Sequence, residues 1–213
     1  PKFCRKINSI DEINNYFTVN LTNRYERVRV IGDIHGCYTA LQQAITPWDE
    51  KTLYIFCGDY LERGIENKEM MYEMMRLSTL PNTIMLEGNH ERHIANFAFN
   101  SNLDHSKRFM KEVVAPIVKD MTKKDVESLQ RELRLFYKSL RQCYPFSFHG
   151  KKYLVSHAGL SYVPNMTFIA TSTFINGFGA YETDIAKIYD TNYEKGMCQD
   201  FIQIHGHRGV PDG

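Results

Sequence analysis

Three short blocks carry residues able to do chemistry together: Gly32-Asp33-Ile34-His35-Gly36, Gly58-Asp59-Tyr60-Leu61-Glu62-Arg63-Gly64 and Gly88-Asn89-His90-Glu91. Carboxylate, amide-oxygen and imidazole groups are the donors that hard and borderline divalent metals take. Each block follows an apolar, β-favouring run, namely Val28 to Ile31, Thr52 to Cys57 and Asn82 to Leu86. Strand ends are where α/β proteins present ligands, so the blocks can meet at one spot. The pattern predicts a two-metal centre suited to phosphoester hydrolysis.

The elements that must position these blocks are legible around them. Tyr38 to Ile45 carries Leu41, Ala44 and Ile45 at helical spacing and is ended by Pro47. Asn67 to Leu77 places Met70, Met71, Met74 and Met75 on neighbouring turns, which reads as adaptable core. Strands alternating with such helices build a parallel sheet whose loops share one face. Upstream, Ser9-Ile10-Asp11-Glu12 predicts a capped helix through Tyr16 or Phe17.

From Ile94 to Tyr144 the pattern turns helical. Thr122 with Asp125 caps a segment whose stripe is Val126, Leu129, Leu133, Phe136 and Leu140, with charges on the other faces, and Pro116 breaks or kinks the helix before it. Phe146 to Phe148 and Lys152 to Val155 predict a hairpin around Gly150, and Phe201 to Ile204 a further strand. Pro164 to Tyr193 shows no clear periodicity and predicts a long functional or mobile loop.

The balance of charge and apolar residues narrows the class. A formal net charge of +1 with no long basic run argues against a dedicated nucleic-acid binder, though not against a nucleotide substrate. The chain is 43% hydrophobic and 24% charged, ordinary for a globular enzyme. Cys4, Cys37, Cys57, Cys143 and Cys198 are scattered singly, which predicts reduced, mostly buried thiols and a cytoplasmic location. No stretch approaches membrane length.

The three blocks, followed by Ser156-His157-Ala158-Gly159 and Gly206-His207-Arg208, resemble the serine/threonine phosphoprotein phosphatase branch of the calcineurin-like metallophosphoesterases, whose pattern is GDxHG, GDxxDRG and GNHE. Gly36-Cys37-Tyr38-Thr39 and Arg63-Gly64-Ile65-Glu66-Asn67 look most like the phage and bacterial members. If the protein is phage-encoded, its site of action is the host cytoplasm. The resemblance implies a single domain, an α/β four-layer α-β-β-α sandwich with a helical insertion over about 94–144. Family members usually run at least one strand further, so a truncated C-terminus is expected.

The resemblance also assigns roles. Asp33 and His35 hold a first metal, Asp59 bridges, and Asn89, His157 and His207 hold a second, with His205 the less favoured competitor for the last position. The ions are manganese first, with iron, zinc or nickel possible, and a bridging hydroxide attacks phosphorus in line. Arg63 holds the phosphoryl oxygens and His90 protonates the leaving oxygen, oriented by an acidic residue. Here that residue is Glu62 where relatives carry Asp, which is expected to re-angle the His90 pairing. The second phosphate arginine of relatives is missing after His157, leaving Arg92 or Arg208 as substitutes. The expected substrate is a phosphorylated protein or a small phosphomonoester. The alternatives are a nucleotide hydrolase acting on diadenosine polyphosphates or RNA-end phosphates, and a weakly catalytic metal-binding regulatory module.

Overall fold

A computed structural model describes residues 18–101, 106–162, 169–198 and 200–208. The helix expected from Ser9 and the Val210-to-Gly213 end lie outside the described residues. The first half forms β1 (Val19–Asn20), β2 (Arg27–Ile31), α1 (Tyr38–Ile45), β3 (Thr52–Phe56), α2 (Asn67–Ser78), β4 (Thr83–Met85) and α3 (Glu91–Ala98). Strands β2, β3 and β4 pair in that order, all parallel, so the three chemical blocks leave the sheet at one end.

Period-two alternation in β3 explains why the sheet has cores on both faces. Leu53 and Ile55, followed by Cys57, turn one way, into a cluster with Tyr144, Phe146 and Val155. Tyr54 and Phe56 turn the other way, onto Leu41, the four methionines of α2, and Ile94 and Phe97 of α3. Fully burying one such side chain contributes about 1.5–3 kcal/mol, which is enough to hold the register against slippage.

The helical insertion runs through α4 (Lys107–Phe109), a π turn over Met110–Val114, α5 (Ala115–Val118) and α6 (Lys123–Ser139). Thr122 and Asp125 make the expected reciprocal cap of α6. Leu129, Leu133 and Phe136 bury the stripe, while the Gln130 Nε2–H donates to the Phe97 carbonyl at 2.9 Å and fixes α6 against α3. Pro116, expected to break or kink the helix before it, marks the change from the π turn to α5. The π turn comes before it, and Pro116 sits in the first turn of α5, where its missing N–H costs little.

The second half adds β5 (Cys143–Phe148), β6 (Lys151–Ser156), α7 (Thr171–Asn176), α8 (Ile185–Glu194) and β7 (Ile202–His205). The hairpin turns at His149 and Gly150, both in the left-handed region at φ 47° and 77°, as a two-residue loop requires. The second sheet orders as β1-β5-β6-β7, with β6 and β7 parallel. Its inner face shares the Leu53 cluster, and its outer face packs Leu154 against Phe174 of α7 and Tyr189 of α8. The layers are therefore helices, sheet, sheet, helices. The long loop expected over Pro164 to Tyr193 instead contains α7 and α8. Asp184 caps α8 by accepting the Lys187 N–H, and Ile185 and Tyr189 bury one face, a period the short helix barely displays in sequence.

Candidate metal centre

Five loops at strand ends converge. Asp33 follows β2, Asp59 follows β3, Asn89 follows β4, His157 follows β6 and His207 follows β7. Several of these loops turn through left-handed backbone at non-glycine residues: His35, Asp59, Glu62, Arg63 and His207 have φ between 47° and 74°. Each such residue costs of order 1 kcal/mol and persists only where surrounding contacts enforce it. Close approach also demands glycine. A Cβ on Gly206 would lie 2.1 Å from Asp33 Oδ1, and one on Gly88 2.4 Å from Asp59 Oδ1.

Asp59, 2% exposed, sits between two groups of nitrogens. Its Oδ2 lies 3.6 Å from His35 Nε2 and 3.8 Å from His90 Nε2, whereas its Oδ1 lies 3.5 Å from His157 Nε2. Beyond His157, Asn89 Oδ1 is 3.0 Å from His157 Nε2 and 2.9 Å from His207 Nδ1, and the two ring nitrogens are 3.1 Å apart. Donor separations of about 3 Å are the edges of a coordination shell with bonds of about 2.1 Å. Asp33 stands slightly apart: its carboxylate accepts the His207 backbone N–H at 3.0 and 3.1 Å, and its Oδ1 is 3.9 Å from His157 Nδ1.

Tautomers follow from what lies behind each ring. His157 Nδ1 faces the Cys57 carbonyl at 2.9 Å and His35 Nδ1 the Leu61 carbonyl at 3.1 Å. A carbonyl only accepts, so both Nδ1 atoms carry hydrogen and both Nε2 lone pairs point inward. His35 Nε2 is buried with no hydrogen-bond partner, an orphaned acceptor of the kind a cation satisfies. Burial, more than its neighbours, lowers the pKa of both His35 and His207, which keeps the rings neutral and able to ligate. The donors present therefore fit two divalent cations sharing Asp59.

His90 is held from behind by Glu62, whose Oε2 takes the His90 Nδ1 hydrogen in a short contact. With Glu at this position the pairing is kept, on a backbone that is left-handed at Glu62 and Arg63. The hydrogen bond to Glu62 raises the His90 pKa against the opposing effect of burial. Glu62 moves the other way: burial pushes its carboxyl up, but the His90 hydrogen bond and charge outweigh it and leave it lowered.

Sequence reasoning missed Glu91 as an organising residue. Fully buried, it accepts backbone N–H groups from Asp59 at 2.8 Å, Tyr60 at 3.1 Å and Gly88 at 2.7 Å. Burial, then the Asp59 charge, push its carboxyl up to about 8 against those three donors. The available signal was its place beside Asn89 and His90 at the start of α3.

The arginines separate. Arg63 is exposed and makes no hydrogen bond or ion pair among the described residues. Arg92 is also exposed, with its Nε 3.5 Å from His93 Nε2. Arg208 spends Nη1 and Nη2 on the carbonyls of Phe178, Ala180, Tyr181 and Thr183 and so clamps that loop. His205 sets its Nδ1 3.0 Å from the Gly206 carbonyl. Of the thiols expected to be buried, Cys57 is, with its pKa raised by burial to about 12, but Cys37 is exposed.

The profile of the calcineurin-like phosphoesterase family matches residues 26–213. The chain is 31% identical over 150 residues to serine/threonine-protein phosphatase 2 of Salmonella typhimurium, covering 69% of this chain and 64% of that relative. Among solved structures, a protein serine/threonine phosphatase from Saccharomyces cerevisiae superposes with a TM-score of 0.46 at 20% identity, over 84% of this chain and 55% of its own. A proposed diadenosine tetraphosphatase gives 0.44 at 21% identity, over 71% and 58%.

Proposed function

The chain belongs to the calcineurin-like phosphoesterase family, and from that premise we propose that it is a dinuclear-metal phosphomonoesterase of the protein serine/threonine phosphatase type. The observation that carries this reading is Asp59, whose two carboxylate oxygens face separate imidazole groups, His35 with His90 and His157 with its neighbours. Asp33, His35 and Asp59 would hold one ion, and Asp59, Asn89, His157 and His207 the other, manganese being the metal of choice. When bound, the pair supplies Lewis acidity, acidifies water toward neutrality and offsets charge on the phosphoryl oxygens.

The chain's own groups do the rest. Arg63, exposed and without a partner among the described residues, offers a planar fork to the phosphoryl oxygens, with Arg92 a second cation at the rim. His90 presents Nε2 to the centre and holds the proton that the leaving oxygen needs, while Glu62 fixes its ring from Nδ1. Glu91 fixes the backbone on which Asp59 stands. The whole acts as one domain, and the free thiols of Cys37, Cys57, Cys143 and Cys198 fit a cytoplasmic setting. Among the described residues no helix is long and apolar enough to cross a membrane.

The test is manganese-dependent turnover of p-nitrophenyl phosphate, a phosphoserine peptide, diadenosine tetraphosphate and a 2′,3′-cyclic-phosphate RNA end. Turnover of the first two, lost by more than about 100-fold in Asp59→Asn, is the expected result. Selective turnover of either nucleotide would replace the substrate class while keeping the site.

A further inference from the structure

Beside the proposed metal pair lies a third group of donors, in which His93 joins the proton donor His90 and its partner Glu62. Glu62, His90 and His93 each place a ligand atom within 4.8 Å of the others. His90 meets Glu62 through Nδ1, while its Nε2 faces Asp59. His93 is 5% exposed, stacks on Phe109 with ring centroids 5.7 Å apart, and sets Nδ1 2.8 Å from Ser106 Oγ. Its Nε2 faces the Arg92 Nε–H at 3.5 Å. A guanidinium N–H only donates, so Nε2 carries the lone pair and Nδ1–H donates to Ser106, a ligating tautomer buttressed by a hydroxyl.

We propose that Glu62, His90 and His93 form a third cation site, specific for borderline ions such as zinc, whose occupation inhibits the enzyme. One carboxylate and two imidazoles suit zinc far better than magnesium or calcium. The ion takes the place of the hydrogen that His90 Nδ1 shares with Glu62, and that proton leaves to solvent. Arg92, being exposed, swings aside. A ring metallated at Nδ1 keeps Nε2–H as a much weaker acid than imidazolium, so protonation of the leaving oxygen fails. The inhibitory consequence rests on the role given to His90 above, whereas the site itself does not.

The manganese-loaded protein is titrated with zinc chloride while phosphatase activity and metal content per chain are followed, the latter after desalting. Wild type is expected to hold one equivalent more than His93→Gln and to lose activity at zinc concentrations about tenfold lower. Ser106→Ala, which removes only the buttress, is expected to fall between them and covers the case in which His93→Gln does not fold. Equal metal content in wild type and both variants would overturn the site. An unchanged inhibition midpoint would overturn the inhibitory consequence and trace inhibition to exchange of the catalytic ions. If no phosphatase activity is found on any substrate, metal content alone decides the third site.

Discussion

Glu91 Oε2 accepts the backbone N–H of Asp59 at 2.8 Å, across 32 residues of sequence. The same oxygen takes the Gly88 N–H at 2.7 Å, and Oε1 takes that of Tyr60 at 3.1 Å. One carboxylate thus locks the second block to the third and sets where the bridging aspartate stands. Glu91→Ala leaves three buried N–H groups without partners. It is expected to destabilise by about 3–5 kcal/mol, read from the urea midpoint. Glu91→Gln keeps one oxygen acceptor but sets an amide N–H against one donor, and should cost less than half of that while still lowering metal affinity.

Glu62 reaches His90 Nδ1 from a turn whose backbone is left-handed at Glu62 and Arg63, at φ 74° and 64°. Shortening the side chain draws the carboxylate back from His90 Nδ1 without changing its charge. Glu62→Asp should therefore lower kcat on p-nitrophenyl phosphate by about tenfold, with KM nearly unchanged. A sharp rise would instead identify the natural protein as a weakly catalytic regulatory module.

Much of this was legible because glycine, carboxylate and histidine sit at strand ends, and strand ends are readable from apolar runs such as Thr52 to Cys57. Long-range acceptors were not. Nothing local to Glu91 reports that three N–H groups will point at it, and nothing near Arg208 reports four carbonyls from another segment. Helices α7 and α8 were hidden for a different reason. Their apolar contacts are few, Phe174 on one and Ile185 with Tyr189 on the other, so one buried face of a short helix looks like the scatter of a loop.

Acid stability should report on Asp49. Hydrogen bonds from Thr52 and the Lys51 N–H, with the Arg27 guanidinium, pull its carboxyl from an ordinary 3.8 down to about 2. The folded state prefers the ionised form, so the contribution is present above pH 3.8 and is lost as pH falls from there toward 2. Urea midpoints of wild type and Asp49→Asn, compared from pH 5.5 down to pH 2, should differ at the upper end and converge at the lower. A constant gap would show that Asp49 does not titrate differently on unfolding.

Arg208 decides whether the residue beside His207 shapes a wall or touches phosphate. Its guanidinium holds the carbonyls of Phe178 at 2.8 Å and Tyr181 at 3.0 Å, and the Tyr181 ring stands edge-on to His207 with centroids 5.6 Å apart. Gly177 makes room for it, since a Cβ there would lie 2.6 Å from Nη2. Arg208→Lys keeps the charge but cannot fork to these acceptors. The expected outcome is a Tm lower by about 5 °C, a KM for phosphopeptide raised by about fivefold, and a kcat on p-nitrophenyl phosphate within about twofold of wild type. A phosphate contact would give the opposite pattern, with Tm unchanged and kcat/KM down by about 100-fold on even the smallest substrate. A loss confined to the phosphopeptide, against one shared by both substrates, separates the two roles in one variant.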